Sequence, residues 1–208
     1  MDISLILRGL LIGFSIAAPV GPIGVLCIRR TLTDGRSAGL ISGLGAATAD
    51  AIYGCVAGFG LTLVSTFLVS QQTWIRLIGG AFLCYLGIKT LISKPATEPT
   101  EGKRKGLLGA YASTFFLTLT NPMTILSFAA IFAGLGLASQ NPNYSTAGLL
   151  VLGVFVGSAA WWFLLSGLVG IFREKFQFTA LKWINRISGL IILGFGVIAL
   201  LSNLNQKL

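Results

Sequence analysis

The stretch Ala18-Pro19-Val20-Gly21-Pro22-Ile23-Gly24 lies in the middle of the first long apolar segment of the chain. Two prolines and two glycines at this depth predict a broken helix, because proline removes a backbone donor and clashes with the preceding turn. In hydrocarbon, freed backbone groups are tolerated only where protein buries them or where they line a cavity. Broken helices of this kind hold substrates in transporters. The stretch therefore predicts a membrane protein built around an interrupted span.

The composition indicates the same class of protein. Of the 208 residues, 54% are hydrophobic and 10% are charged, and the mean hydropathy is +0.86. A soluble domain carries about 25% charged residues. The net charge of +9 lies mostly in loops between apolar segments, which a membrane topology explains better than nucleic-acid binding. We therefore expect the lipid bilayer, and not nucleic acid, as a partner.

The residues that usually hold metals or carry redox chemistry are scarce. Histidine is absent, and Cys27, Cys55 and Cys84 each lie in a different apolar segment without a Cys-x-x-Cys pair. Cysteine is also a natural small apolar residue in such places. We therefore expect no metal site, no cofactor and no enzyme activity.

Six apolar stretches are each long enough to span a bilayer, which takes about 20 residues. They are predicted at about Ile3–Ile28, Ala38–Leu61, Trp74–Ile92, Leu107–Leu137, Ala147–Phe172 and Trp183–Ser202. We expect an all-α membrane protein in one transmembrane domain, residues 1–208. The first span is expected to stay in the mature protein rather than to be removed as a signal peptide, because its apolar run resumes after the prolines.

The basic residues predict how the chain sits in the membrane. The first, third and fifth connections, Arg29–Ser37, Ser93–Gly106 and Arg173–Lys182, hold most of them. The other side has only Arg8, Arg76 and Lys207. The positive-inside rule places the basic loops in the cytoplasm of a cell (plasma or inner) membrane, with both termini outside.

The two halves of the chain resemble each other, at about residues 1–93 and 107–208 with a loop at 94–106. Three pairs of similar stretches occur in the same order: Trp74–Gly80 with Trp183–Gly189, Ser37–Leu40 with Thr146–Leu149, and Gly21-Pro22 with Asn121-Pro122. Three spans is an odd number, so the halves would insert in opposite senses. We predict a 3+3 inverted repeat whose first and fourth helices are broken at proline.

Asp50 is the sharpest single signal, because it lies in the middle of the second apolar segment. A charge at the bilayer centre costs roughly 2.5–3.5 kcal/mol even on the lenient insertion scale, and it is normally functional. The structural alternative is an ion pair that locks helices together, for instance with Arg76. We favour a site residue, with Tyr53 on the same helix face as a hydrogen-bond partner.

The prolines at the two breaks suit the first turn of a helix. If Pro22 and Pro122 each open a half-helix, two helix N-termini meet near the midplane and attract an anion such as a carboxylate. Pro19, Gly21 and Asn121 flank these prolines and complete the predicted site. Packing kinks are the plainer alternative.

Hydroxyl groups near the breaks are weaker candidates. Ser15 and Thr120, together with Thr118 and Thr124, could contact a substrate or could satisfy the broken backbone. We weigh these two roles equally. Of Trp161 and Trp162, which lie mid-span, one is expected to line a cavity.

These residues together resemble the lysine exporter (LysE/RhtB-type) family of amino-acid efflux proteins. The resemblance covers nearly the whole chain and is carried by Pro19-Val20-Gly21-Pro22, by the glycine-rich second span with Asp50, and by Asn121-Pro122. It implies export of an amino acid or a similar small amine-bearing solute, exchanged for protons, with Asp50 and both breaks in the transport site. Many members have Pro-Gly-Pro at the first break, so the resemblance does not carry the substrate.

The expected function is therefore secondary transport of a small molecule, by a monomer or a homo-oligomer. A metal-cation exporter ranks lower, because one carboxylate without histidine supplies poor ligands. A thiol-redox protein would need Cys27 and Cys84 to meet near the midplane. A purely structural role would leave Asp50 and the paired breaks unexplained.

Overall fold

The computed structural model describes residues 3–19, 21–58, 67, 70–92, 104–121, 123–128, 144–172 and 178–204. Within these ranges the chain is helical and has no strand. The helices, in chain order, are α1 (Ile3–Ala17), α2 (Pro22–Thr33), α3 (Arg36–Gly58), α4 (Gln72–Ile92), α5 (Arg104–Leu119), α6 (Tyr144–Phe172) and α7 (Phe178–Leu204), with a further helical stretch at residues 123–128.

Four of these helices are long and apolar enough to cross a membrane by themselves, and they belong to α3, α4, α6 and α7. The bent pair of α1 and α2 qualifies as a fifth span when taken together. The expectation of an all-helical, multi-span membrane protein is confirmed. The predicted fourth span contributes the short apolar helix Gly106–Leu119 and residues 123–128, while residues 129–143 lie outside the described ranges.

The first span is broken where the prolines predict. Helix α1 ends at Ala17, α2 begins at Pro22, and the two axes differ by 82°. Gly21 precedes α2 in an extended conformation, with φ −100° and ψ −162°. Proline at the first helical position needs no hydrogen-bond acceptor, because the first N–H groups of any helix have none.

The fourth span is also interrupted, and Asn121 organises its break. Helix α5 ends at Leu119, and the Asn121 side chain accepts a hydrogen bond from the Met123 N–H through Oδ1 at 3.1 Å. The Asn121 carbonyl accepts from the N–H groups of Thr124 and Ile125 at 3.1 and 3.3 Å. Asparagine is among the best helix caps for this reason. Pro122, the predicted break residue, lies outside the described residues.

Glycines let two pairs of helices approach closely. Gly9 of α1 lies against Gly153 of α6, where a Cβ atom on Gly153 would come within 2.9 Å of the Gly9 Cα. In the α4–α7 pair, a Cβ atom on Gly196 would come within 2.9 Å of the Gly80 carbonyl oxygen. Small residues at such crossings are typical of membrane helices. Both pairs join one half of the chain to the other.

The predicted loop at Arg29–Ser37 is wrong in extent. Helix α2 continues to Thr33 and α3 begins at Arg36, so only two residues connect them. Gly35 makes this turn with φ 107°, a conformation that side chains rarely adopt. Because the turn is so short, the last turns of α2 are buried against neighbouring helices rather than exposed as a loop.

Two arginines of this buried segment tie both halves together. Arg29 and Arg30 are 9% and 8% exposed. Arg30 donates to the hydroxyls of Ser42 at 2.9 Å and Ser113 at 2.7 Å, and Arg29 donates through Nε to Asn185 Oδ1 at 2.8 Å. The guanidinium group suits this role because its five donors have fixed directions. The end of α2 is therefore anchored to α3, α5 and α7.

Candidate functional site

Two cavities meet at the first break. The smaller has a volume of about 60 Å³ and the larger about 550 Å³. Both are lined by the broken segments of the first and fourth spans. The shared lining residues are Ile16, Pro19, Gly21, Pro22, Asn121 and Thr124. Both cavities thus share three predicted site residues of the first break, Pro19, Gly21 and Pro22, together with Asn121 of the second break.

Asp50 lies on the wall of the smaller cavity. Its side chain projects from α3 and is 3% exposed, with alanines at positions 46, 47 and 49 leaving room around it. Ser158 of α6 donates a hydrogen bond to Asp50 Oδ2 at 2.7 Å. The other carboxylate oxygen, Oδ1, accepts no hydrogen bond from the described residues. One oxygen is therefore held in place by a neighbouring hydroxyl.

Arg76, the alternative partner for Asp50, lines the larger cavity instead. Among the described residues, the hydrogen-bond partner of the Asp50 carboxylate is the neutral hydroxyl of Ser158. A hydroxyl orients a carboxylate without neutralising its charge, so the arrangement differs from a closed ion pair. The predicted repeat makes a position near Ala159 the second-half equivalent of Asp50, next to Ser158, and this was the available sequence signal for Ser158.

The start of α2 supplies backbone donors to the same small cavity. Gly21, Pro22, Ile23 and Gly24 all line it, and no side chain caps the helix. Pro22 has no N–H, and the first N–H groups that follow have no partner within a helix. The N-terminus of a helix carries partial positive charge and binds anions. This end of α2 is therefore suited to a carboxylate.

Trp162 of α6 completes the wall of the small cavity. The residue is 4% exposed, and its indole Nε1–H has no hydrogen-bond partner among the described residues. Buried indole N–H groups usually find a partner. Gly43 packs against Cβ, Cγ and Cδ2 of this side chain, and a larger residue there would displace it. Sequence reasoning expected one mid-span tryptophan at a cavity, and Trp162 lines one.

The threonines near the second break mainly satisfy their own helix. Thr118 donates to the Thr114 carbonyl at 2.8 Å and Thr120 to the Phe116 carbonyl at 2.9 Å. Thr118 lines the smaller cavity and Thr120 the larger one. Hydroxyls that bond the preceding turn are common in membrane helices. Their remaining lone pairs can accept from a ligand.

Two predicted site residues lie away from both cavities. Ser15 is on the exposed face of α1 and lines neither cavity. The Tyr53 hydroxyl donates to the Leu119 carbonyl rather than to Asp50, so the predicted hydrogen bond between Tyr53 and Asp50 is wrong. Residue 119 ends α5, and its carbonyl has no partner in the next turn because the helix stops there. Tyr53 thus supports the break from outside the cavity.

The cysteines and acids form no other site in the described ranges. Cys27, Cys55 and Cys84 are free thiols. Within the described part of the chain, no three side chains of the kinds that ligate metals come together.

Comparisons with known proteins place the chain among translocators. The family model described as "LysE type translocator" matches residues 14–203. A Bacillus subtilis protein named "Putative amino acid efflux protein YcgF" is 31% identical, over 93% of this chain and 93% of its own length. The "Threonine efflux protein" of Escherichia coli K12 is 25% identical, over 88% and 90%.

A third relative has a different kind of name. The "Chemotactic transduction protein ChpE" of Pseudomonas aeruginosa is 28% identical, over 95% of this chain and 98% of its own length. No solved structure matches the chain significantly. The family match covers almost the whole chain, including both breaks and Asp50, and the resemblance in the sequence is confirmed: this multi-pass membrane protein belongs to the LysE type translocator family.

Proposed function

We propose that this protein is a secondary transporter that exports an amino acid from the cell in exchange for protons. The observation that carries the proposal is the small cavity at the first break, where a buried carboxylate, Asp50, faces the uncapped start of α2. An acid and a helix N-terminus in one cavity match the two charges of a zwitterion. The names of the relatives in Bacillus and Escherichia support amino acids as the substrate class.

The proposed contacts follow from the donors and acceptors of that cavity. The substrate ammonium binds Asp50 through Oδ1, which the described residues leave unpaired. The substrate carboxylate binds the backbone N–H groups at Ile23 and Gly24, which line the same cavity. Asn121 adds its amide NH₂, because its Oδ1 already accepts from Met123. Charge-assisted hydrogen bonds are roughly twice as strong as neutral ones.

Coupling to protons follows from competition for one carboxylate. Asp50 is 3% exposed, and a lone buried charge at this depth is costly unless it is paired or protonated. The substrate ammonium and a proton would each neutralise Asp50, and both cannot do so at once. A return step with a proton on Asp50 therefore completes an exchange cycle, which is antiport.

The inverted repeat is part of the proposal, because alternating access needs two half-structures that rock against each other. The predicted repeat makes Gly80 equivalent to Gly189 and Gly87 equivalent to Gly196. Gly80 contacts Gly196 and Gly87 contacts Gly189, so one contact is the counterpart of the other. A two-fold axis produces such reciprocal pairs. The contacts of α1 with α6 and of α3 with α5 are likewise counterparts.

The test is amino-acid flux in proteoliposomes with an imposed pH gradient. Asp50→Asn keeps the size of the side chain and removes its charge, and we expect it to abolish pH-driven flux. Asp34→Asn is the matched control, because Asp34 is a half-exposed acid in the α2–α3 turn that pairs with Arg29 at 3.8 Å. Unchanged pH-driven flux in Asp50→Asn would refute the role of Asp50.

A further inference from the structure

In the proposed function, the charged groups of the zwitterion bind in the smaller cavity, so the larger cavity is left for another part of the ligand. Its volume of about 550 Å³ is within the usual range of roughly 300–1,000 Å³ for sites that enclose small molecules. Most of its wall is carbon. The apolar side chains that line it include Leu83, Leu117, Met123, Phe195, Ile198 and Ala199. Such a wall favours an apolar part of a ligand.

The charge of the larger cavity discriminates among amino-acid side chains. Arg76 is the one charged residue among the described lining residues, and none of them is acidic. Arginine stays protonated under all ordinary conditions. The cavity is partly open, because Met123 and Ile198 of its wall are 66% and 65% exposed. A cationic substrate side chain would lose part of its hydration there without gaining a carboxylate, and it would lie near a like charge. Asp50 cannot compensate it, because Asp50 lines the other cavity.

We propose that the larger cavity receives the side chain of the substrate and that the substrates are amino acids with bulky, uncharged, apolar side chains. This rests on the proposed function, in which the ammonium and carboxylate occupy the smaller cavity. Gly21, Pro22 and Asn121 line both cavities, so one ligand reaches both across this shared wall. Gly21 has no side chain to obstruct the passage, and nothing described lies within 4 Å of where its Cβ would be.

The proposal predicts an order of affinities. Each buried methylene group contributes roughly a fourfold gain in affinity. Leucine and phenylalanine should therefore bind the purified protein at least about tenfold more tightly than alanine, which leaves the larger cavity empty. Lysine should bind at least about tenfold more weakly than leucine, because its ammonium would be desolvated without a partner. Glutamate should also bind more weakly than leucine, because the cost of removing its carboxylate from water into a mostly apolar cavity can exceed its attraction to Arg76, the one charged residue among the described lining residues.

The experiment is isothermal titration of the purified, detergent-solubilised protein with alanine, leucine, phenylalanine, lysine and glutamate. Ala199→Phe places a ring in the larger cavity, and we expect it to remove the preference for leucine over alanine while alanine binding is retained. Val197→Phe is the matched control on the same helix, because Val197 is 41% exposed and lines neither cavity. This variant should keep the preference.

The outcomes separate the two proposals. If alanine binds the unmodified protein as tightly as leucine, or if lysine or glutamate binds most tightly, the assignment of the larger cavity is wrong while amino-acid export stands. Retained leucine preference in a folded Ala199→Phe variant also overturns the assignment. If none of the amino acids binds, the proposed function fails and the assignment fails with it.

Discussion

At the residue scale, the buried carboxylate is held rather than neutralised. Ser158 bonds one oxygen of Asp50 at 2.7 Å, and the described residues leave the other unpaired. Trp162 lines the same cavity, and its buried indole N–H has no hydrogen-bond partner among the described residues. Unpaired buried polar groups are destabilising in a folded protein. Under the proposed function, the substrate ammonium relieves this cost at Asp50.

A variant of Tyr53 tests whether this residue stabilises the break in the fourth span or contacts the substrate. Tyr53→Phe removes the hydroxyl that bonds the Leu119 carbonyl and leaves that carbonyl without its partner, which costs about 1–3 kcal/mol. We expect a lower melting temperature and unchanged amino-acid affinity, measured by thermal unfolding and by titration of the same sample.

The control for this variant is Tyr85→Phe, because Tyr85 is 55% exposed and its ring stacks on Phe82. The melting temperature of Tyr85→Phe should lie close to that of the unmodified protein. A Tyr53→Phe variant that melts normally but loses affinity for the amino acid would place Tyr53 in the site after all.

At the element scale, the two breaks are organised differently. Asn121 caps the helical stretch that follows it through its own side chain, whereas Gly21 leaves the start of α2 without a side-chain cap. A capped helix end has fewer donors to offer a ligand. We therefore propose that only the start of α2 binds the anion. The sequence had predicted that two converging helix N-termini would bind it together.

Gly21→Ser tests this asymmetry. Its hydroxyl would cap α2 from within and compete with the substrate carboxylate, which gains roughly 1 kcal/mol from a helix N-terminus. We expect amino-acid affinity to fall about fivefold, measured by titration. Gly21→Ala is the control: nothing described lies within 4 Å of the added methyl, the backbone φ of −100° suits alanine, and no cap is introduced. Equal affinities in both variants would exclude α2 as the carboxylate site.

Glycine substitutions in α7 test whether close contact holds α4 against α7. In Gly196→Ala the new methyl group would lie 2.7 Å from Cys84 Sγ and 2.9 Å from the Gly80 carbonyl oxygen. The helices would have to separate, at a cost of about 1–3 kcal/mol. Gly194→Ala on the same helix meets no described atom within 4 Å.

We expect Gly196→Ala to lower the melting temperature in detergent. Gly194→Ala should leave it unchanged or raise stability by up to about 1 kcal/mol, because alanine restricts the unfolded chain. If both variants melt alike, close contact at this crossing is not what holds α4 against α7.

At the scale of the whole molecule, the distribution of charge sets the proposed orientation. The burial of Arg29 and Arg30 in α2 removes two residues from the first basic loop. The third connection still holds Lys94, Lys103 and Lys105. The remaining asymmetry still predicts, by the positive-inside rule, that these loops lie in the cytoplasm.

Reporter fusions check this orientation. Alkaline phosphatase, which is active only outside the cytoplasm, should be active when fused after Leu208 and inactive when inserted after Lys103. A fluorescent protein that folds only in the cytoplasm should give the opposite pattern. Phosphatase activity at Lys103 together with none at Leu208 would invert the proposed topology.

Much of the architecture follows from the sequence by itself. Apolar stretches of bilayer length determined that the chain is a helical, multi-span membrane protein, because a backbone in hydrocarbon must pair within its own segment. The residues Pro19, Gly21 and Pro22 determined where the first span breaks. The isolated acid at Asp50 predicted a site in the second span, because its burial would be costly without a function, and that role stays a prediction.

Only the tertiary structure decided what each residue contacts. It paired Asp50 with Ser158, turned Tyr53 toward Leu119, and brought Trp162 to the cavity. It also buried Arg29, which the charge pattern had placed in a loop. Local patterns specify helices and their interruptions, because those depend on residues close in the chain. Partners on other helices depend on how the helices pack, which residues distant in the chain determine together.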